Sequence, residues 1–190
     1  MSENNIQAAS ILITGTELNF RDISARDTNQ VIKETIDSAR SEKQESAWFH
    51  MLGFIFTKDF AALQNLKDCL ARGTKTKIVI NKLLKSDLKS GEKDFNTGRD
   101  ILYELNRDYD NLELFSFKSK LGDGDLHAKT IVANRSRAIV GSANFSVGGL
   151  DKNYELGLYV TGHTAYDLAG IIDSIASNSS LCTKIKKNQQ

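Results

Sequence analysis

Residues 126–144, LHAKTIVANRSRAIVGSAN, constrain this chain more than any other stretch. Thr130-Ile131-Val132-Ala133 is an apolar run that reads as a buried strand, and Ala138-Ile139-Val140 reads as its return. The polar Asn134-Arg135-Ser136-Arg137 between them is short enough for a tight hairpin turn. With Arg135 and Ser136 as the two loop residues, Asn134 pairs with Arg137, which sets Lys129 opposite Ser142 and His127 opposite Asn144. Side chains two apart share one face of a strand, so His127 and Lys129 point the same way. The pattern predicts an imidazole, an ammonium, a hydroxyl and a carboxamide converging at the open end of one hairpin. A bulge would move the register by one residue without separating them.

The chemistry of such a set is specific. Imidazole is a nucleophile and a proton carrier near neutral pH. Lys129 adds positive charge, and Ser142 and Asn144 add hydrogen-bond donors. Together they suit a tetrahedral anion whose charge moves during a reaction, and phosphate is the obvious one. Clustered carboxylates of the kind that cage a divalent cation are missing from the set, so neither a metal nor a cofactor is expected. Asp123 and Asp125, just upstream, are explained by turn chemistry. A lone H-x-K would read as an ordinary strand histidine beside a surface lysine. The G-S-x-N at the matching place on the return strand changes that reading.

His127-x-Lys129, a turn, then Gly141-Ser142-x-Asn144 resembles the signature of the phospholipase D superfamily, H-x-K-x(4)-D followed by G-S-x-N. Asn153-Tyr154-Glu155 is similar to the N-x-E that follows in the nuclease members. Phe54-Ile55-Phe56-Thr57, a helix, Arg72-Gly73 and then Lys77-Ile78-Val79-Ile80 resemble the preceding β-α-β segment, so the likeness runs from about Trp48 onward. It implies an α/β fold, the α-β-α sandwich with a mixed central sheet. In a chain with one motif it implies a metal-independent phosphodiesterase acting on nucleic acid, DNA ahead of RNA, with a part in a restriction or phage-defence system as one setting. The implied catalytic residues are His127, Lys129, Asn144 and Glu155. His127 attacks phosphorus, Lys129 and Asn144 hold the phosphoryl oxygens with Ser142 in support, and Glu155 accepts a proton from a histidine Nδ1.

One position departs from the signature: Asn134 stands where the family has Asp. Seven residues of extended strand separate it from His127, roughly 23 Å, and Asn suits a turn as well as Asp does. Two alternative functions stay open: a phospholipid hydrolase or phosphatidyltransferase, and a nucleic-acid-binding member with impaired catalysis.

The remaining sequence supplies the scaffold. With 190 residues and 40% hydrophobic content, one domain covering residues 1–190 is expected. Two cysteines make no disulfide framework, the start lacks a signal-peptide pattern, and no run reaches membrane-spanning length, so a cytoplasmic protein with no membrane partner is expected. Helices are predicted at 28–45, 60–72 (closed by Gly73), 96–108 and 164–177. Strands are predicted at 11–13, 48–56, 75–81, 112–117 and 156–160. Residues 145–152, with Gly148 and Gly149, read as a loop able to move, and 184–190 as a frayed basic tail. Between Arg72 and Lys93 there are seven Lys or Arg against two acids, either a solvated face or a track for a polyanion. The phosphohistidine reaction needs two histidines, and His50 and His163 lack an H-x-K setting. The expected working unit is therefore a homodimer with a composite active site.

Overall fold

The structure, a computed structural model, describes residues 9–14, 24–40, 47–120 and 124–187. In chain order the elements are β1 (Ala9–Thr14), β2 (Ala25–Asp27), α1 (Thr28–Asp37), β3 (Trp48–Gly53), α2 (Leu63–Ala71), β4 (Lys75–Asn81) and α3 (Arg99–Asp108). There follow β5 (Leu112–Phe117), β6 (Lys129–Ala133), β7 (Arg137–Gly141), β8 (Glu155–Thr161), α4 (His163–Ser177) and β9 (Cys182–Lys184). The strands among the described residues form one mixed sheet in the order β2-β1-β8-β7-β6-β3-β4-β5-β9. β3, β4 and β5 run parallel, whereas β6, β7, β8 and β1 alternate in direction.

Helices cover both faces, as the expected α-β-α sandwich requires. Val31, Ile32 and Ile36 of α1, Leu66 and Leu70 of α2, and Leu102 of α3 pack with Phe49, Met51, Ile78, Ile80 and Ile131 of the sheet. On the other face Ala165, Ala169 and Ile172 of α4 meet Leu52, Val79, Val132, Ala138 and Val160. Strands buried on both faces read as unbroken apolar runs, which is why β4 and β6 were legible. No helix among the described residues is long and apolar enough to cross a membrane.

The alternation of strand direction creates one functional edge. The carboxyl ends of β3, β4, β5 and β7 and the starts of β6 and β8 all lie along it. Crevices outside the carboxyl ends of parallel strands are where open α/β sheets bind ligands.

Several elements differ from the sequence reading. Asp27 caps α1 by accepting the Gln30 N–H at 2.7 Å, but the helix ends at Asp37 rather than continuing. The backbone just beyond it is held elsewhere: Asn134 Nδ2 donates to Ser38 O and Arg40 O, each at 3.0 Å. The part of the predicted helix at 41–45 lies outside the described residues. The central hairpin closes at Ala133–Arg137, one residue away from the expected register, so Lys129 faces Gly141 and not Ser142. Its turn holds Asn134 and Arg135 left-handed, at φ 50° and 54°, and keeps Ser136 as a third loop residue. Within the predicted loop 145–152, residues 148–152 form a π-helical turn with Gly149 and Leu150 buried. The tail is tied down as far as it is described, by β9, by the buried Ile185 and by a Lys187–Asp110 ion pair.

Asn134 now has a physical reason to be an amide. Its Oδ1 accepts the Trp48 N–H at 3.0 Å while its Nδ2 serves the two carbonyls beyond α1. An aspartate can accept from Trp48 but cannot donate to a carbonyl. Asn134→Asp is therefore expected to lower the urea-unfolding free energy by about 1–3 kcal/mol at pH 7, the cost of leaving such groups unpaired. A variant as stable as the wild type would remove this account.

At the same end of the sheet a polar cluster lies under α4. His50, 0% exposed, places Nε2 3.3 Å from Asp173 Oδ1, and Asp173 also binds Lys77 and, at 2.7 Å, Arg135. Burial holds the imidazole below its usual range, and Arg135 and Lys77 add to that against the pull of Asp173. A histidine depressed in the folded state stabilises fully above its ordinary value of 6.5 and loses that contribution as pH falls below it. Denaturation midpoints should therefore fall between pH 7 and pH 5.5 in the wild type. The loss over that interval should be smaller in His50→Gln, and equal slopes would refute the assignment.

Candidate active site

The site is built where β6 begins. Leu126 is buried and its N–H bonds Asn81 Oδ1, at the end of β4, at 3.0 Å. That anchor turns the next residue outward, and His127 is exposed. Lys129, the first residue of β6, is only 5% exposed, yet its ammonium reaches back to the same point. Lys129 Nζ donates to His127 O at 2.8 Å and lies 3.1 and 3.2 Å from the ring atoms Nδ1 and Nε2. Burial lowers the Lys129 ammonium below its ordinary range, with Glu155 pulling it back up. Among the described residues Lys129 makes no ion pair, an arrangement that favours an anionic neighbour.

Phe54, just past β3, closes one side. Its ring centroid is 4.6 Å from that of His127, with the planes tilted by 56°, and Lys129 Nζ lies 5.2 Å from it. The contact restrains the imidazole and adds a cation–π attraction. Nothing in the sequence singled Phe54 out, because an aromatic at a strand end reads as core.

The G-S-x-N half comes in from the other side. Phe145 pairs with Phe56 as an isolated parallel bridge: its N–H donates to Ile55 O at 3.2 Å and its carbonyl accepts from Thr57 N at 3.0 Å. Its ring occupies the space above Gly53, where a Cβ would come within 2.7 Å of it. Gly149 is required by an equally close approach, since a Cβ there would lie 2.5 Å from Asn144 N and O. The π-turn thus presses on the backbone of Asn144, and π-turns often mark functional positions. Asn144 is half-buried, and its Oδ1 is buried without a hydrogen-bond partner. An amide so lightly held can turn its N–H groups toward an anion.

Ser142 and Glu155 are engaged with each other. The Ser142 hydroxyl donates to Glu155 and accepts from Leu156 N at 3.2 Å, and Asn153 Nδ2 donates to Glu155 Oε1 at 3.2 Å. The pair clamps the end of β7 to the start of β8. Glu155 makes these bonds rather than one to His127, and it reaches Lys129 through charge. The structure therefore brings His127 and Lys129 into direct contact and sets Asn144, Ser142 and Glu155 along the same edge. Asp125 pairs with Lys82 at 2.8 Å, while Asp123 lies outside the described residues. His50 is on the opposite face of the sheet. His163 starts α4, at the far end of β8.

Reasoning from sequence missed Asn81 and Asn96. Asn96 accepts the Phe56 N–H at 3.0 Å and donates to Asn81 O at 2.8 Å, while Asn81 holds Leu126. Both are nearly fully buried and link β3, β4 and the approach to β6. The position of Asn81 at the carboxyl end of a strand was the available signal for it.

Comparison with known proteins agrees with this architecture. The family model for the cardiolipin synthase PLD-like domain matches residues 32–175. Among solved structures, NucT from Helicobacter pylori superimposes with a TM-score of 0.69 at 19% identity, over 94% of this chain and 99% of that one. The phospholipase D family member Nuc from Salmonella typhimurium gives 0.67 at 14% identity, over 95% and 99%. A DISARM protein DrmC from Bacillus paralicheniformis is 30% identical over 69 residues, which is 36% of this chain and 29% of that relative. With the family model covering most of the chain and the sheet and edge matching its architecture, this chain belongs to the phospholipase D superfamily, as a PLD-like domain.

Proposed function

We propose that this chain is a metal-independent phosphodiesterase that hydrolyses nucleic-acid phosphodiester bonds through a phosphohistidine at His127. The observation that carries the reading is the exposed imidazole of His127 with the buried Lys129 ammonium 3.1–3.2 Å from both ring nitrogens. A neutral ring nitrogen attacks phosphorus, an N–P bond forms, and the P–O bond to the leaving nucleoside breaks. Lys129 and Asn144 hold the phosphoryl oxygens as their charge rises. A second histidine gives its proton to the leaving oxygen. It then takes one from the water that cleaves the N–P bond, which restores His127. The bond between Ser142 and Glu155 supports this site by fixing β7 against β8. DNA remains ahead of RNA as the partner. A part in a restriction or phage-defence system belongs to the same proposal, with the stretch similar to a DISARM protein as its support.

The second histidine comes from another copy of the chain. The sequence holds three histidines, of which His50 is buried on the other face and His163 lies at the opposite sheet end. A two-fold axis beside His127 supplies the missing imidazole. Ile11, Val140, Leu156 and Leu158 leave a row of exposed apolar side chains that runs up to Glu155, a surface such a dimer can cover.

Two measurements test this. Cleavage of labelled DNA should persist in EDTA and fall at least about 1,000-fold in His127→Ala, as loss of a nucleophile does. Strict dependence on added magnesium would sink the mechanism. If each site needs both copies of His127, an equilibrated 1:1 mixture of wild type and His127→Ala should retain about one quarter of the activity, not one half. A linear fall, with a monomer in sedimentation, would rule the shared site out.

A further inference from the structure

The basic run from Arg72 to Lys93 divides between the two ends of the sheet. Arg72, Lys75 and Lys77 lie at the amino end of β4, with Lys75 Nζ 5.0 Å from the Trp48 ring centroid and Lys77 bound to Asp173. Lys82, Lys85, Lys89 and Lys93 follow the carboxyl end of β4, on the edge that carries His127. The loop between β4 and α3 is thus the basic segment beside the site.

That loop is strapped to the site rather than hung near it. Lys82 Nζ bridges Glu92 Oε1 at 2.5 Å and Asp125 Oδ1 at 2.8 Å, two residues before His127. Asp94 accepts from Arg99 Nη1 at 2.5 Å and from Nη2 at 2.9 Å, and Asn96 ties the loop to Phe56 and Asn81. Between these fixed points stands Phe95, 47% exposed, with Lys93 Nζ 5.1 Å from its ring centroid. The other phenylalanines of the described residues are buried or half-buried. Leu83 of the same loop is fully buried, so the sequence had apolar residues to turn inward and left this one out.

On the reading of the chain as a nucleic-acid phosphodiesterase, we infer that Phe95 and Lys93 form a subsite for an unpaired nucleotide. The base stacks on the Phe95 ring and a neighbouring phosphate meets Lys93, leading single-stranded nucleic acid into the His127 site. A ring beside a cation is the pairing that single-strand binders use, because every base has a π-face and every nucleotide a phosphate. In a duplex those faces are already stacked on neighbouring bases, so the subsite discriminates against it. The anchors at Asn96, Arg99 and Lys82 hold the ring in place before binding, which lowers the ordering cost. A lipid surface fits less well, since the ring is flanked in the chain by the polar Asp94 and Asn96.

The test is fluorescence anisotropy on the full chain carrying His127→Ala, with a labelled oligothymidylate and a blunt duplex of equal length. Phe95→Ala should weaken oligothymidylate binding roughly 5- to 150-fold, the value of one stacked base, and duplex binding by less than about twofold. Phe95→Trp should restore it. Lys93→Gln should reduce the slope of log affinity against log salt by about 0.7. Unfolding midpoints of the variants should match the parent, as the side chain is exposed. Unchanged or equal losses on both probes, with the wild-type chain still cleaving nucleic acid, would overturn the subsite and leave the phosphodiesterase reading standing. A wild-type chain that neither binds nor cleaves any nucleic acid would take both down. Loss of binding to phosphatidylglycerol vesicles in Phe95→Ala, with oligothymidylate unaffected, would make the loop a lipid contact and overturn the inference.

Discussion

The antiparallel pairing of β6 with β3 is the interaction on which the rest depends. It joins a parallel half, β3-β4-β5, to an antiparallel half, β7-β8-β1, within one sheet. Because β6 runs against β3, the start of β6 lies at the carboxyl end of the parallel strands. His127 and Lys129 therefore emerge beside Phe54, Asn81 and the loop that follows β4. Leu52 opposite Thr130 and Met51 opposite Ile131 are buried on opposite faces, so a slip of one residue would exchange those faces and turn Lys129 out of its present position. Register here is enforced by hydrophobic burial on both sides of the sheet.

The two ends of the sheet use polar groups differently. At the amino end of β3, Asn134 meets three backbone partners and Lys77 and Arg135 pair with Asp173, while His50 lies beside Asp173 with neither ring nitrogen in a hydrogen bond. Asp173 is pulled up by burial, but Lys77, His50 and Arg135 outweigh that and hold its carboxyl below the usual range. At the other end Lys129 is buried with its ammonium against the His127 ring and carbonyl, and Asn144 Oδ1 has no donor. Both ends thus keep a buried polar group without a hydrogen-bond partner, but His50 sits beside a carboxylate and His127 beside an ammonium. That contrast separates the two histidine environments, although His50 and His127 look alike as letters.

Asn134 illustrates how a motif letter can mislead. Set against the superfamily signature it is a missing acid, and in the fold it is an amide with three hydrogen bonds. Its distance from His127 along the hairpin was legible, because strand rise is constant. Its partners were not, because Ser38, Arg40 and Trp48 are remote in the chain. The one-residue error in the hairpin register has a related origin. The observed loop places Asn134 and Arg135 at positive φ and leaves Ser136 outside the strand pairing, where a two-residue loop would have placed Arg135 and Ser136 in the turn, and the composition allowed either.

By itself the sequence determined the layers, the strands and helices with strong periodicity, and the pair His127 and Lys129. These follow from local rules: burial on both faces makes unbroken apolar runs, and a spacing of two puts side chains on one face. Gly73 as the end of α2 was legible for the same reason, a left-handed residue after a helical stripe. Only the tertiary structure decided which half of the basic run lies on the edge that carries His127, that Phe54 packs on His127, that Ser142 is held by Glu155, and that Gly149 and the π-turn press on Asn144. It also turned Phe95 outward on a loop strapped to Asp125. The contact of Phe54 with His127 and the strap from Lys82 to Asp125 join segments far apart in the chain, set by the order of strands in the sheet, and even the nearer contacts of Ser142 and Gly149 depend on the fold of the segment between them, which no local pattern of residues encodes.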